Sequence, residues 1–150
     1  MKGLYYIVVL VLGFTMATSC SSNDDNSDPV IETTFLEMYE GTVWHIAINE
    51  LSSEYLKFQN NETFPFEQWG LIYGAGCYEH IYYNVNDFSA VITENSEDYL
   101  ELTLPSGHVW IFAVEDGLLH WVDVSEDGIY DYVYDSQNAA VIDDLDICWE

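Results

Sequence analysis

The chain has 150 residues, of which 27 are Asp or Glu and only two are Lys or Arg, giving a formal net charge of −25. That length supports one domain with one real core, and a composition of 49% hydrophobic and 16% aromatic residues excludes a disordered acidic tail. So negative a surface repels phosphate, which argues against DNA, RNA and anionic lipid headgroups as direct partners; it leaves cationic ligands, divalent metals or basic proteins open, but reads first as a generic acidic, soluble face with no specific partner.

The N-terminus carries Lys2, an apolar run from Leu4 to Phe14, and small residues up to Cys20. A charged start, an apolar middle of about 7–15 residues and a small-residue exit read as a secretory signal over residues 1–19. The run is shorter than the roughly 20 apolar residues that a spanning helix needs. Ala17-Thr18-Ser19-Cys20 resembles the lipobox of bacterial lipoproteins, although Ala17 stands where leucine is more usual. The resemblance implies cleavage before Cys20, acylation of that residue (palmitate is a typical chain) and attachment to a membrane. A thiolate is a strong nucleophile for such chemistry. One acyl chain anchors only marginally at about 0.8 kcal/mol per buried CH2, so the two or three chains of such proteins hold firmly. A soluble secreted protein with a chance cysteine is the alternative.

Residues 20–30 are polar and acidic, with Ser21, Ser22, Asn23, Asp24 and Asp25 directly after the cysteine. They read as a flexible tether. Serine followed by acidic residues at this place also resembles the surface-export signal of Bacteroidota lipoproteins, which implies a surface-exposed location on the outer membrane. A solvated spacer without an address is the alternative. If Cys20 carries lipid, Cys77 and Cys148 are the pair left, and the oxidising compartment beyond the inner membrane favours a disulfide between them over two free thiols.

The folded part is expected over residues 31–150. Ile31 to Gly41 reads as a short helix, with Thr34 as N-cap, Glu37 three residues on, and Gly41 as the stop. Short alternating runs follow at 42–49, 54–59, 63–71, 77–84, 88–93, 99–104, 109–114, 118–124 and 129–134, separated by turn residues. Leu100, Leu102 and Leu104 alternate with Glu101 and Thr103, the pattern of a half-buried strand. Both rows of 109–114 are apolar, so its inward face stays ambiguous. Gln137–Glu150 is less regular, with Val141, Ile142, Leu145 and Ile147 available to lie along the outside.

About eight to nine hairpin-linked strands predict an all-β, up-and-down antiparallel β-barrel with a short N-terminal helix. A β-sandwich is the rival, but it needs longer cross-sheet connections. The short helix, then Tyr39-Glu40-Gly41-Thr42-Val43-Trp44, then a meander ending in a cysteine, resembles the lipocalin-like lipoproteins of Bacteroidota over about residues 35–150. The Gly41-x-x-Trp44 spacing is one residue longer than the lipocalin Gly-x-Trp motif, and the chain contains no arginine to cover the tryptophan. The resemblance implies that Trp44 plugs a closed barrel end. It also implies that a C-terminal disulfide, here Cys77 with Cys148, ties the last segment to the barrel.

No catalytic motif stands out. His45, His80, His108 and His120 sit on different strands without paired-ligand spacing, so each reads as structural before it reads as a metal ligand. Glu79 and His80 are adjacent on a strand and point to opposite faces. The stretches Ser125-Glu126-Asp127-Gly128 and Asp143-Asp144-Leu145-Asp146 are acidic enough for weak calcium binding, but neither fits the roughly twelve-residue calcium loop with its placed glycine and distal glutamate, so each reads first as a solvated acidic loop. Nor is there a phosphate loop or a nucleophile elbow, and no cofactor is implied. Small barrels either fill with side chains or hold one small ligand. Trp44, Phe58, Phe66, Tyr83, Phe88 and Trp110 are the candidates to line such a cavity or to plug it. Tyr130, Tyr132 and Tyr134 form a row that reads first as strand packing and second as a stacking surface. The expectation is therefore a monomeric, non-catalytic lipoprotein that binds a small apolar or amphipathic ligand. A filled barrel serving as a protein-interaction or structural module is the alternative.

Overall fold

Helix α1, Phe35–Met38, begins where Thr34 Oγ1 accepts the Glu37 N–H and the Glu37 carboxylate accepts the Thr34 N–H, a complete capping box. The computed structural model describes residues 32–49 and 52–148. The signal segment, Cys20 and the acidic tether lie outside the described residues. The helix is shorter than expected because the chain leaves it at Tyr39 and turns at Gly41, whose φ of +71° suits glycine. Four residues are far too few to hold a helix in water. Burial holds this one, since Phe35 and Leu36 are almost fully enclosed.

Nine strands follow among the described residues: β1 Val43–Asn49, β2 Ser52–Phe58, β3 Phe66–Leu71, β4 Tyr78–Tyr83, β5 Val91–Asn95, β6 Tyr99–Thr103, β7 Val109–Glu115, β8 Leu118–Ser125 and β9 Gly128–Gln137. They form one antiparallel up-and-down sheet in the order β4-β3-β2-β1-β9-β8-β7-β6-β5. The first and last strands of the chain thus pair in the middle of the sheet, through Val43↔Gln137, Trp44↔Ser136 and His45↔Asp135. The edges are β4 and β5. Six places apart in that order, β4 and β7 still touch: Tyr83 lies 5.6 Å from Trp110, and Phe66 on β3 lies 5.1 Å from Phe112. The sheet therefore curls into a half-barrel whose concave face is its core, as the all-β barrel-like expectation required. Its circle is not completed by a ladder between β4 and β5.

Most strand starts fall within one or two residues of expectation, and two lie further on. β3 begins at Phe66, not Thr63, because the Asn61 side chain accepts the N–H groups of Thr63 and Phe64 and winds them into a turn before Pro65. β5 begins at Val91, not Phe88, because the Asn84 carbonyl collects the N–H groups of Asp87 and Phe88. Phe88 consequently sits in a turn, although its ring still stacks on Tyr83 at 5.2 Å. The Asp116-Gly117 turn joining β7 to β8 has positive φ at both residues, as a tight hairpin demands.

Inward side chains follow the period of two. Trp44, Leu56, Phe58, Phe66, Leu100, Leu102, Phe112, Leu119, Trp121 and Tyr134 form one buried cluster, with Phe35 and Leu36 seated against it. This settles the ambiguity of β7: Trp110, Phe112 and Val114 face in. The edge of β4 is covered by the chain end. The Tyr78 N–H donates to the Asp146 carbonyl, the Cys148 N–H donates to the Tyr78 carbonyl, and the Cys77–Cys148 disulfide fixes the pair. Before that tail, Ala139–Asp144 form a 3-10 helix with no fully buried residue. Covering an unpaired edge in this way removes a template for aggregation.

Candidate functional site

The concave face has two unlike ends. At one, the ends of β2 and β7 and the starts of β1, β6 and β8 converge on α1, and Phe35, Leu36, Phe58, Phe112, Leu100 and Leu119 pack without exposure above 1%. Trp44 belongs to this closed end, 2% exposed, with the Tyr39 ring against it at 6.1 Å. At the other end the β1–β9 ladder stops after His45↔Asp135. There a cavity of about 300 Å³ opens, lined by Ile48, Glu54, Trp110, Trp121, Asp123, Tyr132 and Tyr134.

Aromatic rings build its walls. Trp110 and Trp121 meet nearly at right angles, 81° with centroids 5.5 Å apart, and Tyr132 packs 6.0 Å from Trp121. Their placement follows from parity, since Trp110 on β7, Asp123 on β8 and Tyr130 on β9 share one register row, and Trp121 opposes Tyr132 in the next.

Two carboxylates join the rings. Glu54 shares the inward face of β2 with Leu56 and Phe58, and the Tyr134 hydroxyl donates to its Oε1. Gln68 on β3 also hydrogen bonds Glu54, and the Tyr83 hydroxyl donates to Gln68 Oε1 at 2.7 Å. A relay from β4 and β3 and a donor from β9 thus hold one carboxylate. Burial nevertheless raises the Glu54 carboxyl above its ordinary value, against the opposing pull of the bonds from Tyr134 and Gln68. Tyr83 is pushed up to about 12, first by burial and then by the charges of Glu54 and Glu79, and Tyr134 is raised by burial and by Glu54. Both tyrosines remain neutral donors.

No Lys or His pairs with Glu54 among the described residues. Asp123 has His108 Nδ1 3.7 Å from its Oδ1, too far for a hydrogen bond. That Oδ1 and the buried Trp121 indole N–H have no hydrogen-bond partner among the described residues.

Of the six aromatics expected at a ligand site, only Trp110 lines this cavity. Phe58 and Phe66 are sealed in the core at 0% exposure, and Trp44 belongs to the closed end. Tyr83 does not line the cavity but touches it through Gln68 and through its ring contact with Trp110, and Phe88 sits in its turn, 41% exposed. Glu54, Trp121 and Asp123 were missed. The signal for Glu54 was parity, two residues before Leu56 on the same face. Tyr132 and Tyr134 pack against the core, as their row on β9 suggests, and both also line the cavity.

The histidines do not converge. His80 Nε2 meets Glu67 Oε2 at 2.9 Å on the outer face and stacks on Trp69 at 4.4 Å. His120 meets Asp131 at 3.1 Å. His45 lies against Tyr55 at 4.5 Å, where burial lowers its pKa against the opposing charge of Asp135. Among the described residues no three His, Cys, Asp or Glu side chains are grouped to hold a metal ion. Comparison with protein-family models, with curated proteins and with solved structures finds no match.

Proposed function

We propose that the protein is a surface-anchored, non-catalytic lipoprotein that holds one small apolar or amphipathic molecule in the open end of a lipocalin-like half-barrel. The observation that carries this reading is the aromatic-walled cavity of about 300 Å³, at the lower end of the volumes typical of small-ligand sites. Its position supports carriage: one end of the concave face is packed shut by α1 and the core phenylalanines, so a guest enters and leaves by the other. The proposed address, the outer membrane with the domain facing out, is supported by the resemblance of Ala17-Thr18-Ser19-Cys20 to a lipobox and of the acidic stretch after it to a surface-export signal.

Native mass spectrometry of the protein purified from its own host tests the reading. A co-purifying small molecule is the expected result, and a bare mass in repeated preparations would overturn it. The anchor is tested separately, since Cys20→Ala is expected to move the protein from the membrane fraction to the soluble one. Unchanged partitioning would refute lipidation.

A second reading, a protein-interaction module, is favoured by one feature. A groove of about 590 Å³ runs on the outside between Met38 and Tyr39 beside α1 and the β6–β7 hairpin, rimmed by Glu97, Asp98, Glu101 and Glu115. It suits a basic segment of another protein.

A further inference from the structure

We infer that the open-end cavity is a site for an organic ammonium ion carrying an apolar or aromatic body; this rests on the carrier reading above and narrows it. The argument starts from Glu54. A half-buried carboxylate without a cationic partner is costly to hold, yet here Tyr134 and the Tyr83–Gln68 relay both orient it. Core packing needs no such arrangement. Donors from two other strands, Tyr134 on β9 and Gln68 on β3, the latter held in turn by Tyr83 on β4, prepare this carboxylate as an acceptor, and the missing element is a positive charge.

The walls supply the rest. Perpendicular indoles of Trp110 and Trp121, with the rings of Tyr132 and Tyr134, form sides of an open box. Aromatic faces attract an ammonium group through their negative quadrupole, and desolvation strengthens the attraction. Asp123 brings a second carboxylate to the same wall, its Oδ1 without a hydrogen-bond partner although His108 Nδ1 stands 3.7 Å away. The Trp121 indole N–H on this wall also has no hydrogen-bond partner, as is true of Trp44 at the closed end, so the carboxylates rather than the indole mark the wall as a cation site. In such a site buried unpaired groups are left where a guest completes them.

Size and field agree. The cavity of about 300 Å³ has room for about ten waters, which matches a one-ring amine rather than a lipid tail. The net charge of −25 concentrates cations around the molecule and repels anions.

The test uses the full chain and three probes matched in shape: phenethylammonium, neutral 2-phenylethanol and anionic 3-phenylpropionate. Trp110 and Trp121 line the cavity, so their fluorescence reports occupancy, with calorimetry as the second readout. At pH 7 phenethylammonium is expected to bind at least about tenfold more tightly than the alcohol, and the acid to bind most weakly. Glu54→Gln, nearly isosteric and still able to accept from Tyr134, is expected to erase that preference, bringing the amine's affinity down to about that of the alcohol. Asp123→Asn is expected to reduce the preference and serves as the second variant should Glu54→Gln not fold. Equal binding of amine and alcohol overturns the cation inference and leaves the carrier reading standing. No binding of any probe overturns both.

Discussion

Burial raises the Glu54 carboxyl, although Tyr134 and Gln68 both bond it. The folded protein therefore holds that proton more tightly than the unfolded chain does. The stability this contributes is complete below the unfolded value, about 4.5, and is lost as pH rises through the raised folded value. At neutral pH ionised Glu54 thus works against folding, in the presence of Asp123, Tyr132 and Tyr134 on the facing strands and of His108 beside Asp123. Glu54→Gln is expected to raise the melting temperature by a few degrees at pH 7 and to bring no gain below about pH 4.5. A lower melting temperature at pH 7 would count against this account of the site. A binding residue held at a cost to stability is a common trade. Nothing in composition singles out Glu54 among 27 acidic residues; only its parity with Leu56 and Phe58 does. The same rule places Asp123 with Trp121, and it was legible once the inward face of β8 was known. Which of the inward residues leave space, and which fill it, depends on how the curled sheet brings distant strands together, and no local pattern carries that.

At the scale of elements, the strands were legible because turn residues punctuate them and alternation marks their faces. Leu100 and Leu102 face in, and Asp116-Gly117 turns where expected. The helix was legible at its start, through Thr34 and Glu37, and overlong at its end. Sheet order was less legible, because hairpins specify neighbours but not whether β4 and β5 also meet. The structure answers with a stapled tail. Cys77 and Cys148 are 71 residues apart, and on the chain-entropy model a closed loop of that size contributes roughly 4 kcal/mol. Replacing both cysteines with serine is expected to lower the denaturation midpoint by up to that amount. It should also speed hydrogen exchange at the Tyr78 amide, whose acceptor is the Asp146 carbonyl. Unchanged exchange would mean that the tail holds the β4 edge without its staple. The helix makes the complementary point at the closed end. Phe35 is fully buried, with Tyr39 4.6 Å and Phe58 5.1 Å away. Phe35→Ala is expected to cost about 3–5 kcal/mol in urea unfolding; a loss below 1 kcal/mol would show that α1 is not the plug.

For the whole molecule, the dominant fact is charge. Lys2 and Lys57 are the two basic residues of the sequence, against 27 acidic ones. The ion pairs among the described residues are three contacts between a histidine and a carboxylate. There is little attraction for salt to weaken and much repulsion for it to relieve. Between 10 mM and 150 mM salt the screening length falls from about 30 Å to about 8 Å, from roughly the width of a small domain to the distance between neighbouring strand pairs. Self-repulsion across the half-barrel is then largely removed. The melting temperature is expected to rise by several degrees over that range, whereas the affinity for phenethylammonium is expected to fall, because the same screening weakens its attraction to Glu54 and Asp123. Opposite signs are the informative outcome, since a general effect of salt on hydrophobic burial would strengthen both. If stability and amine affinity rose together, the field of the carboxylates would not be what governs the molecule, and the charge argument for its ligand would go with it.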